Sequence, residues 1–416
     1  MRYYCCIDMK CFYASVECAD LEKDPFLTNL VVADKSRGKN ALCLAISPKL
    51  KAAGIKNRCR LSDVPDYGDL IVATPRMRRY IEVCADIYEL YLTYFSPDDI
   101  HQYSIDEAFI DLTDYLTVYD MTPTAMAKFL LDRIQEVVHI PATAGVGTNL
   151  YLAKIALDIT AKKAKERVAY LDEEIFRRTL WTHEPLSDFW GISRGISARL
   201  RKIGVPNQKG VTECPKEVLY KIFGVNAELL IDHAFGKESC LLSDIKAYKS
   251  RSRSLSTSQI LPYDYTYAQA RTVLSEMVLD GCQRMMRRGV VTHSASLYVG
   301  YTHDDASPDG GTVTMTETTA NFSILSHYLL TLYDDVADRT TLIRRLGISF
   351  NDVRDERCEN YDLFTDVDKV EKENRAERTA LRVKDKFGKN AILRAVDLKK
   401  EGTTIERNGF IGGHKA

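Results

Sequence analysis

Near its start the chain runs Arg2-Tyr3-Tyr4-Cys5-Cys6-Ile7 with almost no polar position, and then stops on Asp8. A half-buried strand alternates apolar and polar residues, so an unbroken run like this suits a strand buried on both faces. From Phe12 to Cys18 the spacing turns helical. Much further along, Ile100–Tyr103 and Ala108–Leu112 read as two strands around the corner Ser104-Ile105-Asp106-Glu107. Neighbouring side chains of a regular strand point to opposite faces. Asp106 and Glu107 can therefore share one site only where the backbone leaves regular geometry, as it does at a hairpin corner.

Carboxylates at the edge of apolar strands cost solvation free energy unless something positive joins them. If Asp8, Asp106 and Glu107 converge, they form a site for hard divalent cations, which prefer oxygen ligands. Two metals held in this way activate an attacking oxygen and stabilise a leaving one, the chemistry of nucleotidyl transfer.

The two motifs together resemble the catalytic palm of Y-family translesion DNA polymerases (the ImpB/MucB/SamB group), and in particular the UmuC type, the catalytic subunit of bacterial polymerase V. The resemblance implies that Asp8, Asp106 and Glu107 ligate two Mg2+ ions and that the backbone carbonyl of Met9 completes a site. It implies that Tyr13, beside Phe12, lies under the incoming sugar as a steric gate. It implies template-directed synthesis past damaged bases in an SOS-type response, with primer-template DNA and deoxyribonucleoside triphosphates as substrates. RecA and an accessory subunit are partners of such relatives.

At 416 residues the chain is too long for one ordinary core and suggests two to four domains. No apolar run is long enough to span a bilayer, and the start carries no signal-peptide pattern, so a cytoplasmic protein is expected. The 11 cysteines include no Cys-x-x-Cys, which argues for buried thiols and against zinc. A net charge of −1 argues against a wholly basic nucleic-acid binder. Basic residues nevertheless crowd locally, at Arg177–Lys209, Lys246–Arg253 and Arg284–Arg288. A local basic surface is what phosphate contacts need.

The expected fold class is α+β and multidomain, a right-hand polymerase. A ferredoxin-like palm spans 1–20 and 76–168, its βαββαβ alternation suggesting a sheet covered on one side by helices. Small fingers span 21–75, where the resemblance places Lys51 on the triphosphate; Pro48 stands three residues earlier. The helix Asn149–Lys163 supplies a second triphosphate lysine in relatives. The family position falls on or beside Ala161, and Lys162 is chosen, with Lys163 close behind. A helical thumb spans 169–243. In it Gly191, Ser193 and Gly204 outline a turn, a capped helix and a stop. This resembles a helix-hairpin-helix, which aims backbone N–H groups at phosphate, with Gly191, Arg194 and Gly195 at the DNA.

A linker is expected at 244–252, then a βαββαβ little finger at 253–352 with Arg251 and Arg253 at alternate positions facing DNA. The charged tail, 353–416, is expected to be partly folded. Its Asn360-Tyr361-Asp362-Leu363-Phe364 resembles a sliding-clamp-binding peptide, with Asn360 in place of the usual Gln and Leu363 and Phe364 as anchors.

Three other readings compete. A nucleotide cyclase shares a palm-like sheet but needs no helix-hairpin-helix and no second α+β unit. A noncatalytic DNA-binding factor needs no set of three acids. A metal-dependent nuclease would shorten a primer instead of lengthening it.

Overall fold

A computed structural model describes residues 1–250, 253–302 and 307–415; Arg251 lies outside them. The chain divides into two compact units, Met1–Lys249 with His414–Ala416, and Ser250–Gly413.

In the first unit, β1 (Tyr4–Met9) leads into α1 (Phe12–Asp20). A small subdomain follows, with β2 (Leu30–Val32), β3 (Ala45–Ile46), α2 (Pro48–Ala52) and β4 (Ile71–Ala73). It has its own sheet, ordered β3-β2-β4, around Val31, Cys43, Ile46 and Leu50. The chain then runs through α3 (Met77–Leu92), β5 (Ile100–Gln102), β6 (Glu107–Asp111), α4 (Tyr115–Val118), α5 (Pro123–Val138), β7 (Ala142–Gly147), α6 (Leu150–Ile155) and β8 (Val168–Leu171). The large sheet has the order β5-β6-β1-β7-β8. The first four strands give the ferredoxin-like arrangement; β8 extends it by pairing parallel to β7.

The expectation of a sheet covered on one side does not hold. Tyr4, Cys6 and Phe109 pack under α6, at Leu150 and Ala153. On the opposite face, Cys84, Ile87 and Tyr91 of α3 close over Met9 and Ala108. The apolar run of β1 is the record of this double cover. Two glycines make the α6 side possible: a Cβ on Gly145 would lie 2.2 Å from the Ala153 carbonyl oxygen, and one on Gly147 2.2 Å from the Ala153 nitrogen. Any larger residue at either position would push α6 off the sheet.

After α7 (Glu173–Leu180), four short helices form the rest of the unit: α8 (Arg194–Lys202), α9 (Gln208–Glu213), α10 (Lys216–Phe223) and α11 (Asn226–Ala234). Ser193 Oγ accepts from Ile196 N at 3.3 Å and caps α8, and Gly204, at φ 79°, lies just beyond its end. α12 (Leu242–Ala247) occupies part of the span expected to be linker. Leu242 is buried in the palm core, and Lys246 Nζ donates to the Pro97 carbonyl, so this segment is structural.

The second unit is β9 (Leu255–Tyr265), α13 (Tyr267–Arg288), β10 (Val290–Tyr301), β11 (Asp309–Thr319), α14 (Phe322–Val336) and β12 (Ile343–Asn351). Its sheet order is β11-β10-β12-β9. Thr266 and Gln269 form a capping box that starts α13. The core joins Met277, Leu325, Leu346 and Phe350 between the two helices and the sheet.

The tail is also folded into this unit, more fully than its composition suggested. α15 (Val367–Phe387) buries Val370 and Leu381. The buried Glu276 carboxylate of α13 accepts from Thr403 N at 2.8 Å and from Thr403 Oγ1 at 3.1 Å. The Arg394 guanidinium lies 3.9 Å from the Phe322 ring centre. Polar contacts and two apolar anchors hold this segment, which is why hydropathy alone missed it. Among the described residues, no helix is long and apolar enough to cross a membrane.

Candidate active site

Asp8 is the second-last residue of β1, where its neighbours across the sheet are Glu107 on β6 and Thr143 on β7. The hairpin corner leaves regular geometry as expected: β6 begins at Glu107, and Asp106 stands before it. Met9 N donates to the Asp106 carbonyl at 2.9 Å, which ties the corner to the end of β1. Ser104 Oγ donates to Asp106 Oδ1 at 2.6 Å and fixes the carboxylate. Asp8, Met9 and Asp106 line one cavity, together with Phe12, Tyr13, Lys51 and Lys162.

Burial lifts the Asp8 carboxyl to about 6; Lys162 opposes the lift, and Asp106 and Glu107 add to it. A carboxylate in this state gains from an added cation. Thr143 Oγ1, buried and lining the same cavity, has no hydrogen-bond partner. An oxygen donor set of this kind, with an unsatisfied hydroxyl beside it, fits a hard divalent cation.

Glu107 does not line this cavity. Its Oε2 accepts from Lys154 Nζ at 2.7 Å, and its Oε1 from Cys6 Sγ at 3.2 Å. Both side chains of the Lys154–Glu107 pair are only 8% exposed. Among the described residues, no three acidic, histidine or cysteine side chains are grouped closely enough to hold one ion. The convergence of three acids is thus realised for Asp8 and Asp106, while Glu107 is engaged by the helix beneath. Near-neighbour motifs cannot reveal that pairing, because the lysine lies far along the chain.

Lys154, Asp158 and Lys162 form a continuous ladder. Asp158 accepts from Lys154 at 3.0 Å and from Lys162 at 2.8 Å, and Lys162 reaches Asp8 Oδ2 at 3.3 Å. Burial lowers the Lys154 pKa, but the Asp158 and Glu107 carboxylates more than offset it and hold the ammonium protonated. The ladder also distinguishes Lys162 from its neighbours in this helix. Residues Ala156–Thr160 form a π-helical turn. Such a turn inserts one residue relative to an α-helix, so Lys162 takes the angular position that residue 161 would otherwise hold. Ala161 is buried, and Lys162 faces the acids.

Tyr13 stacks on Tyr80 of α3, with ring centres 4.4 Å apart and planes 13° apart. Tyr80 Oη donates to Glu17 Oε1 at 2.6 Å, and Arg76 clamps Glu17 through both carboxylate oxygens, at 3.0 and 2.7 Å. The Tyr13 ring is therefore backed on one face by a ring that this network holds in place. No motif in the sequence marks Tyr80 as the partner of Tyr13.

The remaining expected sites fall as follows. Lys51 is exposed in the cavity wall, beside Asn57 and Arg58, which were not foreseen. Gly191, Arg194 and Gly195 are exposed at the start of α8. Arg253 precedes β9 and pairs with Asp352 at 3.5 Å. The open face of the second sheet instead offers Ser256, Ser258, Ser296, Tyr298, Arg345 and Ser349. Asn360 pairs with Thr318 at the sheet edge, its Oδ1 accepting from Thr318 N at 2.9 Å. Leu363 and Phe364 are 99% and 95% exposed.

The impB/mucB/samB family matches residues 7–158, and the C-terminal domain of that family matches residues 252–363. A protein assigned to UV-damage repair, UvrX of Bacillus subtilis strain 168, is 31% identical over 417 residues, covering 99% of this chain and 97% of its own. DNA polymerase IV 2 of the same organism is 29% identical, covering 98% and 97%. Among solved structures, a Y-family DNA polymerase chimera of Dbh and Dpo4 superposes with a TM-score of 0.63 at 18% identity, covering 85% of this chain and 99% of that one.

Proposed function

The chain belongs to the impB/mucB/samB family, and from that membership and the site just described we infer that it is a Y-family translesion DNA polymerase acting in the repair of DNA damage. The observation that carries this reading is the single cavity in which Asp8, Met9 and Asp106 meet Tyr13, Lys51 and Lys162. Acids and lysines lining one cavity suit a triphosphate approaching a primer end.

Asp8, Asp106 and the Met9 carbonyl would hold two divalent cations of the magnesium class, whose chemistry would be activation of the primer 3′-hydroxyl and neutralisation of the triphosphate. The side chains do the rest. Asp106, oriented by Ser104, and Asp8, opposed by Lys162, fix the anionic wall of the site. Lys162 and Lys51 take the phosphate oxygens, and the ladder through Asp158 keeps Lys162 aimed. Tyr13, braced by Tyr80, denies space to a ribose 2′-hydroxyl. Glu107 stays on Lys154 and lends negative charge from behind. Duplex phosphates are taken by the exposed start of α8 and, separately, by the polar face around Arg345.

Leu363 and Phe364 support a docking role for the tail. Two adjacent large apolar side chains left almost fully exposed are what a short peptide presents to a groove, and a sliding clamp is the partner that their sequence fits. Replacing both by alanine should leave distributive extension unchanged and remove the gain given by added clamp and loader. Equal stimulation of the double variant would refute it.

The enzyme reading is tested by primer extension on templates with and without one abasic site. The intact protein should lengthen the primer on both, and Asp106→Ala on neither. A shortened primer would identify a nuclease, and no change would refute the assignment.

A further inference from the structure

The segment that the small β3-β2-β4 subdomain lends to the cavity wall lies between two cysteines. Its lining residues run from Leu44 to Arg58, and Cys43 and Cys59 bracket them. The backbone brings the two brackets together. Leu42 and Arg60 face each other as an antiparallel bridge, Leu61 N donates to the Ala41 carbonyl at 2.8 Å, and Cys43 N donates to the Cys59 carbonyl at 2.9 Å. Cys43 and Cys59 are therefore the next opposed pair. Opposed residues of an antiparallel ladder put their side chains on one face. Here that face is the small core: Cys43 is buried with Val31, Ile46 and Leu50, and Cys59 packs against the same cluster. The Cys59 thiol lies close enough to Cys43 to share a hydrogen bond with it. Such a pair holds its Cα atoms about 5.5 Å apart, inside the roughly 4.4–6.8 Å that a disulfide spans. Both are free thiols in this structure.

The two are not equivalent. Cys43 is fully buried, and burial, with the Cys59 thiol beside it, pushes its pKa up. Cys59 is half-buried, between the exposed Arg58 and Arg60. One thiol is open to a small reagent from solvent, and the other is held in reserve next to it.

We propose that Cys43 and Cys59 form a reversible dithiol–disulfide site, a redox-sensitive staple that closes the cavity-lining segment 44–58 into a loop. Its oxidant is a small-molecule disulfide of the glutathione class. The Cys59 thiol loses its proton and attacks one sulfur of the oxidant. The oxidant's S–S bond breaks, a mixed disulfide forms on Cys59, and one small thiol leaves with the proton. Cys43 Sγ then attacks Cys59 Sγ, and its proton goes to the second small thiol as that leaves. The two cysteines are oxidised by two electrons, and one small disulfide is reduced to two thiols. Excess thiol reverses both steps. The second step needs no access from solvent, because the attacking sulfur is already in place. The closed bond removes freedom from the cavity wall and leaves Asp8 and Asp106 untouched. It forms irrespective of the reaction that the cavity supports.

The test incubates the native full-length protein with oxidised glutathione, quenches with acid, alkylates the remaining thiols and maps the cysteines by mass spectrometry. The unaltered protein should yield fragments linking Cys43 to Cys59, and excess dithiothreitol should return both to thiols. Cys43→Ala should stop at glutathione on Cys59, and Cys59→Ala should leave Cys43 unmodified. Hydrogen exchange across 44–58 should slow by roughly tenfold in the oxidised protein, and in neither variant. Mapping of the unaltered protein stands even if a variant fails to fold. A lasting glutathione adduct on Cys59 of the unaltered protein would overturn the proposal. So would two free thiols under conditions that modify the exposed Cys358, a link from either cysteine to a different one, or a Cys43–Cys59 link seen only in denaturant. A link that forms without slowing exchange would show no staple, and would overturn it as well.

Discussion

Strands β1 and β9 each open a βαββαβ series, yet they end up in opposite situations. β1 is central, flanked by β6 and β7, and is buried along nearly all its length. β9 is an edge strand that, among the described residues, pairs with β12; Leu255, Leu261 and Tyr265 are buried, and Ser256, Ser258 and Ile260 are exposed. A strand covered on both faces has only its ends free to meet a substrate. The acids of the first unit therefore sit at the end of β1 and the corner before β6, concentrated at one point. A sheet with helices on one face keeps the other open, and polar residues repeat across it. The same element order thus yields a focused site in one unit and an extended one in the other.

This contrast predicts that damage to the first sheet affects chemistry and damage to the second affects affinity. Asp106→Ala should reduce extension by about a thousandfold or more, because it removes a charge fixed where the reaction needs it. Filter binding of primer-template DNA by the same variant should be nearly unchanged. A matching fall in binding would mean that the site is not so focused.

Tyr13→Ala should raise ribonucleotide incorporation relative to deoxyribonucleotide by about a hundredfold, the scale of a clash worth roughly 3 kcal/mol. Competition between labelled nucleotides measures the ratio. Tyr80→Ala should give a smaller rise, since it removes the brace and leaves the ring.

Lys154→Met tests whether the buried pair is structural. Leaving the Glu107 carboxylate buried without its partner should cost about 3–5 kcal/mol in denaturant unfolding. Adding Glu107→Gln should recover a large part of that loss. An unchanged midpoint in the single variant would show that Glu107 is free to turn into the cavity.

The smallest effect belongs to the second sheet. Arg345→Ala should weaken DNA binding a few-fold and make the slope of log affinity against log salt shallower by about 1. No change in base preference is expected.

Much of this was legible in the sequence, for identifiable reasons. The β1 run, the helical start at Phe12 and the corner at Asp106 are local patterns, and each kept its assigned place. What failed was long-range. Nothing near Glu107 announces Lys154, and nothing near Tyr13 announces Tyr80, because both partners come from helices that pack from other parts of the chain. Arg253 was assigned to the DNA face by alternation; β9 begins two residues later, at Leu255. Arg345 was readable from the alternation of Leu346, Ile348 and Phe350, which are buried while Arg345 is exposed. Lys162 needed the π-helical turn, which no composition signals.

The central claim is that the first unit carries the chemistry and the second sheet carries affinity for DNA. The most direct test measures two quantities on Asp106→Ala and Arg345→Ala side by side: the single-turnover insertion rate at saturating DNA, and the dissociation constant for the same DNA at fixed salt. The account predicts that Asp106→Ala loses rate and keeps affinity, and that Arg345→Ala loses affinity and keeps rate. If both variants lose rate and affinity in proportion, or if Arg345→Ala slows insertion at saturating DNA, the division of labour between the two sheets is contradicted.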